Sequence, residues 1–137
     1  MIGILIVTHG NLGDALIGGA IHVMGKPLER VRALTVNVDD NPDILLLRAR
    51  TLARELDAGQ GVLLLSDICG GTPCNVVSRL VAPGRIEAVS GVSLPMLVRA
   101  LTYRDRSLTQ VVEKALSGGT EGVLRLNGEP TRAANGN

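Results

Sequence analysis

The chain opens with Met1-Ile-Gly-Ile-Leu-Ile-Val-Thr-His9-Gly10, and this stretch is the strongest indicator of the fold. The run from Ile2 to Val7 is apolar and mostly β-branched, which is typical of a strand buried on both faces of a parallel sheet. It ends abruptly at Thr8, His9 and Gly10. Ligands bind at the carboxyl ends of strands in open α/β sheets, so His9 stands where an imidazole can act as base, ligand or nucleophile.

Composition narrows the class of protein. The 137 residues, 45% of them apolar, indicate one globular domain with a sizeable core. The net charge is +1 without a basic patch, and Tyr103 is the single aromatic residue, which argues against a nucleic-acid partner. No apolar stretch is long enough for a membrane helix or matches a secretory signal, so we expect a cytoplasmic protein without membrane insertion.

Strand and helix patterns alternate along the chain. This alternation predicts an α/β fold: a doubly wound, mainly parallel four-stranded sheet with helices on both faces. A short strand is predicted near the C-terminus at Val123–Leu126. The predicted strands are 2–7, 31–38, 62–65 and 85–90, and the predicted helices are 11–24, 42–56, 72–81, 94–103 and 107–116.

A carboxylate follows the third predicted strand. Asp67 comes directly after Val62–Leu65 and Ser66. If the first and third strands are neighbours, their carboxyl ends form the switch point of the sheet, and Asp67 meets His9 there. A carboxylate beside an imidazole fixes which ring nitrogen carries hydrogen and stabilises positive charge on the ring.

The turn after Asp67 predicts an anion site. Gly70 and Gly71 let successive backbone amides point inward, the next helix adds its N-terminal amides, and Thr72 offers a hydroxyl. Thr72 and Pro73 resemble a helix cap followed by a first helical residue. Because the Gly-Lys-Ser/Thr of a nucleotide-binding loop is missing, a phosphoryl group delivered by another protein fits better than bound ATP.

Cys69 and Cys74 lie in the same turn, and they do not form a disulfide framework. Two cysteines in a reducing compartment are expected to stay thiols and to behave as small buried hydrophobes. With His9 and Asp67 they also supply zinc-type ligands, so a metal-binding module stands as an alternative. Their spacing matches no known zinc finger or ribbon.

At these residues the chain resembles the mannose-type (mannose–fructose–sorbose) enzyme IIA domain of the bacterial phosphoenolpyruvate-dependent sugar phosphotransferase system (PTS). Three stretches carry the resemblance over residues 1–128: Ile4-Leu-Ile-Val-Thr-His-Gly10, Ser66-Asp-Ile-Cys-Gly-Gly-Thr-Pro-Cys-Asn75 and Val89-Ser-Gly-Val-Ser-Leu-Pro-Met-Leu97. We expect a IIA domain over residues 1–128 and a disordered tail over residues 129–137.

The resemblance implies a role for each site residue. His9 would be the phosphoryl acceptor, through the nitrogen that faces away from Asp67, and Asp67 would orient and charge-balance the ring. Thr72 matches a Ser/Thr position that contacts the phosphoryl group. No metal, nucleotide or other cofactor is required.

The resemblance also implies partners. The donor would be the histidine-containing phosphocarrier protein, and the acceptor would be a IIB domain that passes the group toward a sugar. The family forms homodimers that exchange the last strand, which would be Val123–Leu126 here.

Two features depart from the family pattern. Cys69 and Cys74 replace a large aromatic residue and a Phe, and no IIB segment follows the domain. A regulatory phosphorelay without sugar transport therefore stands as an alternative function. A IIA-like subunit that phosphorylates dihydroxyacetone kinase is a further one.

Overall fold

The computed structural model describes residues 1–127, which form four strands and five helices. The elements are β1 (Gly3–His9), α1 (Leu12–Met24), β2 (Val31–Val36), α2 (Pro42–Leu56), β3 (Val62–Ser66), α3 (Thr72–Ser78), β4 (Ile86–Val89), α4 (Leu94–Thr102) and α5 (Leu108–Glu121). The tail predicted over residues 129–137 lies outside the described residues.

The four strands form one parallel sheet in the order β2-β1-β3-β4. The chain moves outward from β1 to β2, crosses back to β3 and continues to β4, so the winding direction reverses between β1 and β3. Val7 pairs with Ser66 in the register of these two strands. The predicted α/β fold and its switch point are confirmed, and the residues that follow Val7 and Ser66 lie together at one edge.

Side chains of β1 alternate between two cores because successive strand residues point to opposite faces. Ile4 and Ile6 pack with α1, α4 and α5, whereas Leu5 and Val7 pack with α2 and α3. All four are fully buried. The continuous apolar run at the N-terminus therefore describes a central strand covered by helices on both faces.

The last helix is longer than predicted. Two glycines favour an end near Leu116, yet α5 continues through Gly118 and Gly119 to Glu121. A Cβ at Gly118 would lie 2.8 Å from Arg99 Cβ, and one at Gly119 would lie 2.7 Å from Met96 Cε. The glycines allow α5 to pack closely on α4, so packing outweighs their low helix propensity.

Residues 123–126 form no strand within the chain. Val123 and Leu126 are 84% and 89% exposed. Nothing within residues 1–127 pairs with this segment, so the predicted strand, which the resemblance places against a second copy of the chain, stays a prediction.

Smaller boundary differences have local causes. β2 ends at Val36 instead of Val38, because the Asn37 N–H donates to the Asp40 carboxylate and turns the chain. α3 ends at Ser78, before the predicted Val81. In residues 1–127 we find no helix with the length and apolar character needed to cross a membrane.

Candidate functional site

His9 and Asp67 meet at the carboxyl edge of the sheet, as the sequence predicts. His9 Nδ1 lies 2.9 Å from Asp67 Oδ2, and the His9 backbone N–H donates to the same oxygen at 2.9 Å. The His9 side chain is 54% exposed, while that of Asp67 is 13% exposed. The carboxylate therefore lies beneath the ring and holds Nδ1, which leaves Nε2 as the free nitrogen.

Asp67 is held as a carboxylate by its donors. Partial burial raises its pKa, but hydrogen bonds from the His9 backbone, the His9 ring and the Ile68 backbone together lower the pKa below its ordinary value. The Ile68 N–H donates to Asp67 Oδ1 at 2.8 Å. Both oxygens are thus occupied by donors, and the carboxylate has a fixed orientation.

The turn from β1 into α1 fixes the backbone of His9. The Thr8 hydroxyl is buried and accepts a hydrogen bond from the Gly13 N–H at 2.8 Å, while the Gly10 N–H donates to the Val36 carbonyl. Gly10 has a φ of +54°, a conformation that glycine adopts easily. Thr8 is therefore a structural residue at this edge and not an exposed nucleophile.

The loop between β4 and α4 supports Asp67 from the other side. The Gly91 N–H donates to the Asp67 carbonyl at 2.7 Å, and the Val92 N–H donates to the Ser66 carbonyl at 2.9 Å. Gly91 and Val92 belong to the third family-like stretch of sequence. Sequence reasoning missed this contact, because residues 24 or more positions apart along the chain carry no local signal of it.

Gly71 lies against the imidazole ring. A Cβ at this position would be 3.0 Å from His9 Cε1 and 3.4 Å from His9 Nε2. Gly70, the residue before it, has a φ of +97°, and a Cβ there would meet nothing within 4 Å. Of the two glycines, Gly70 supplies the turn and Gly71 supplies the close approach to His9 Nε2.

Thr72 is not the helix cap that the sequence predicts. Gly71 is the N-cap residue, Thr72 is the first residue of α3, and no side chain caps the helix. The extended backbone of Gly71 already leads into the helix, and Pro73 occupies the second helical position. The Thr72 side chain therefore makes no capping hydrogen bond to α3.

The four ligands of the metal alternative do not converge. His9 pairs with Asp67, and Cys69 and Cys74 are both free cysteines. Among residues 1–127, no group of three or more His, Cys, Asp or Glu side chains is arranged to hold a metal ion. Cys69 is exposed and Cys74 is half-buried, so the expectation of two buried thiols is wrong.

The site is an open surface. His9 projects from the edge of the sheet, while a cavity of about 360 Å³ lies at the opposite end, lined by residues that include Met1, Met24 and Arg104. An exposed imidazole suits a reaction partner that is itself a protein surface better than a small molecule that must be enclosed.

The match to a family model decides the family. Residues 3–116 match the EIIA-man model, described as the PTS system fructose IIA component. The chain belongs to the EIIA-man family. His9, Asp67 and the Gly70–Thr72 turn all lie inside the matched range.

Two relatives of this EIIA-man chain are also named as PTS components. It is 35% identical over 136 residues to the PTS system mannose-specific EIIAB component of Escherichia coli K12, covering 97% of this chain and 42% of that protein. It is 27% identical over 106 residues to the PTS system fructose-specific EIIA component of Bacillus subtilis, covering 77% of this chain and 72% of that one. The chain thus spans less than half of the EIIAB relative.

A solved structure supports the fold of this EIIA-man chain. The PTS component EIIA of Streptococcus agalactiae superposes with a TM-score of 0.81 at 27% identity, covering 91% of this chain and 97% of that one. The protein is therefore a PTS EIIA component of the mannose/fructose type, with the α/β fold of that family.

Proposed function

We propose that His9 accepts a phosphoryl group from the histidine-containing phosphocarrier protein and passes it to a IIB-type domain during sugar uptake. The contact between His9 Nδ1 and Asp67 Oδ2 carries this proposal. It fixes the hydrogen on Nδ1 and leaves the lone pair on Nε2, the nitrogen of an exposed ring.

The transfer is a displacement at phosphorus. The Nε2 lone pair attacks the phosphorus of the donor's phosphohistidine, the N–P bond of the donor breaks, and the electron pair returns to the donor ring. Positive charge that develops on the His9 ring is balanced by the Asp67 carboxylate through Nδ1–H. Catalysis is then mostly positioning and charge stabilisation, without metal or nucleotide.

The turn beside His9 is suited to hold the transferred group. Gly71 lies next to Nε2, and Thr72 follows it with a hydroxyl that caps no helix. We assign Gly70, Gly71 and Thr72 to the phosphoryl oxygens, with backbone N–H groups and the Thr72 hydroxyl as donors. The Gly71 backbone can approach closely because no Cβ stands between it and the ring.

The acceptor is proposed from the relatives. The Escherichia coli protein is named as an EIIAB component, and this chain matches it over a part that is 42% of its length. A IIB-type domain would therefore be the acceptor, and the transfer would take place in the cytoplasm. The IIA domain would span residues 1–128.

A homodimer with an exchanged strand is also proposed. Val123 and Leu126 are largely exposed, and their segment pairs with no strand of its own chain in residues 1–127. β4 is an edge strand of the sheet, and on its outer side Ala82 bridges Ile86 alone, so Glu87–Val89 have no partner strand there within residues 1–127. Pairing of residues 123–126 with β4 of a second copy would cover the exposed segment of one chain and the outer edge of β4 in the other.

A phosphotransfer assay tests the function. The protein is mixed with phosphoenolpyruvate, enzyme I and the phosphocarrier protein, and the phosphate that it gains is tested for lability in acid and stability in base. The expected result is one phosphate on His9. His22, the other histidine of the chain, provides the matched control, since His22→Ala should still be labelled.

Further outcomes separate the alternatives. A folded protein that takes no phosphate in the presence of a working control would contradict the proposal. A phosphorylated protein that passes its group to no IIB domain would favour the regulatory phosphorelay instead.

A further inference from the structure

The cavity at the amino end of the sheet combines an apolar wall with charged side chains. Its volume of about 360 Å³ lies near the lower end of the range for small-molecule sites in proteins. Met1, Met24, Leu28 and Leu101 form the apolar wall. A cavity of this size suits a compact ligand that has an apolar part.

Arg104 brings a buried positive charge to this cavity. Among the residues that the structure describes, it is the one charged residue that is buried, with 6% of its surface exposed. Its guanidinium donates to backbone carbonyls, and no carboxylate of residues 1–127 forms a salt bridge with it. Because a buried cation without a counter-ion is unfavourable, the site favours an anionic group on its ligand.

One N–H group of this guanidinium is left over. A guanidinium has five N–H donors. Nε donates to the Ile2 carbonyl, and Nη2 donates to the carbonyls of Ile2 and Arg30. Nη1 makes one bond, to the Glu29 carbonyl at 2.6 Å, so its second N–H has no acceptor within residues 1–127. This N–H is the donor that a ligand oxygen can take.

Two carboxylates stand beside the guanidinium. Asp105 follows Arg104 in the chain, and Glu29 is the residue whose carbonyl Nη1 binds. Both residues line the cavity, both are exposed, and neither forms a salt bridge within residues 1–127. Lys26 adds an exposed ammonium group to the same lining. The cavity therefore offers partners for a carboxylate and for an ammonium group.

We propose that this cavity binds an α-amino acid with an apolar side chain, such as leucine. The ligand carboxylate accepts hydrogen bonds from Arg104 Nη1 and from Lys26, and the ligand ammonium donates to Glu29 and Asp105. The ligand side chain lies against the apolar wall. The site is at the opposite end of the sheet from His9, so it does not depend on the function proposed above.

A ligand with both charges fits this lining better than a ligand with one. A simple carboxylate would place its charge beside Glu29 and Asp105 without a compensating group. A simple amine would bring a second cation to the buried guanidinium of Arg104. Specificity for a zwitterion thus comes from repulsion of the singly charged analogues as well as from attraction.

A nuclear magnetic resonance titration with three ligands tests the proposal. The ligands are leucine, isocaproate, which lacks the ammonium group, and isoamylamine, which lacks the carboxylate. We expect leucine to bind with a Kd of about 1 mM or lower, and each analogue to bind at least about 10-fold more weakly. The absence of saturable leucine binding would overturn the site. An analogue that binds as tightly as leucine would overturn the amino-acid class.

Exposed side chains provide the variants, which avoids the loss of stability expected on substitution of Arg104. Lys26→Met and Glu29→Gln should remain folded, and each should weaken leucine binding by about 10-fold. Lys114→Met and Glu113→Gln are the matched controls, since neither residue lines the cavity. Equal affinity in all four variants would overturn the assignment of the charged contacts.

The same titration locates the ligand and needs no phosphoryl donor. Leucine should shift the signals of the Arg104 Nε–H group and of the Met24 methyl group, and it should leave those of the His9 ring unchanged. Shifts confined to the His9 end of the sheet would overturn the proposed location. A protein that binds leucine in the cavity but takes no phosphate would keep this site and refute only the function proposed for His9.

Discussion

Arg104 at the amino end of the sheet and His9 at its carboxyl end differ in how fully their side chains are hydrogen-bonded. At the amino end, the buried guanidinium of Arg104 donates to the carbonyls of Ile2, Glu29 and Arg30 over distances of 2.6 to 3.1 Å. At the carboxyl end, the His9 ring is bonded within residues 1–127 through Nδ1 alone, and its side chain is 54% exposed.

The contrast separates a side chain that holds the fold together from one that we propose as the reactive group. The Arg104 side chain uses Nε and both terminal nitrogens in four hydrogen bonds to backbone carbonyls, so its guanidinium holds the amino end of the sheet together. His9 has a charged partner for one nitrogen and no competing bond at the other. Substitutions at the two ends should therefore have opposite consequences.

The largest effect is expected at His9. His9→Ala should abolish phosphoryl acceptance, since it removes the nucleophile itself. The free energy of unfolding should fall by only about 1 kcal/mol, because Asp67 loses the ring donor but keeps the backbone donors of His9 and Ile68. The measurement is phosphate incorporation alongside chemical denaturation, with His22→Ala as control. Full labelling of His9→Ala would refute the assignment.

Arg104 should show the opposite pattern. Arg104→Met leaves buried carbonyls without donors and should lower the free energy of unfolding by about 3 kcal/mol. Phosphorylation per folded molecule should stay unchanged, because Arg104 lies at the far end of the sheet. Arg106→Met is the matched control: Arg106 is exposed and lies 5.0 Å from the centre of the Tyr103 ring. Equal destabilisation of both variants would remove the distinction between the two ends.

Asp67 fixes the orientation of the His9 ring through the contact with Nδ1. Asp67→Asn should slow phosphoryl acceptance by about 100-fold, because the ring loses its orientation and its countercharge. The control is Asp57→Asn. Asp57 also accepts hydrogen bonds from two backbone N–H groups, those of Gly59 and Gly61, but it lies at the amino end. An unchanged rate in Asp67→Asn would contradict the orienting role.

Gly71→Ala tests the close approach to the ring with a smaller change. The added methyl would lie 3.0 Å from His9 Cε1, so we expect phosphorylation about 10-fold slower, with the backbone itself unstrained at a φ of −98°. Gly18→Ala in α1 has open space around it and should leave the rate unchanged. A Gly71→Ala rate equal to that of the wild type would mean that the turn moves freely away from His9.

The smallest effect is the pH dependence of stability. Asp67 has a lowered pKa in the folded protein, so its stabilising effect is fully present above the ordinary carboxyl value of 3.8 and is lost as the pH falls toward the lower, folded-state pKa. Denaturation of wild type and Asp67→Asn across this acidic range should show the difference in stability shrinking as the pH falls. A constant difference would mean that Asp67 gains no stability from its ionised form.

The sequence predicts the carboxyl end of the sheet well because its signals are local or topological. The buried pattern of β1 marks the strand, and the order of elements places Asp67 beside His9. The helix of Thr72 and Pro73 is also predicted, although Gly71 turns out to be its cap.

The amino end carries no such signal. Arg104 comes shortly after α4, and nothing in the neighbouring sequence distinguishes it from the other arginines. Its carbonyl partners lie up to 102 residues away along the chain. The length of α5 is missed for a related reason, since only the closeness of α4 explains Gly118 and Gly119. Tertiary packing determines both the hydrogen bonds of Arg104 and the length of α5. A local sequence pattern carries no information about that packing.

The proposed function depends above all on Nε2 of His9 receiving the phosphoryl group while Asp67 holds Nδ1. Phosphorus and nitrogen magnetic resonance of the phosphorylated protein, labelled with ¹⁵N in histidine, reports both nitrogens at once. We expect a single phosphohistidine, at His9, with phosphorus bonded to Nε2 and hydrogen retained on Nδ1. Phosphorus bonded to Nδ1, or to any residue other than His9, would show that the assignment is wrong.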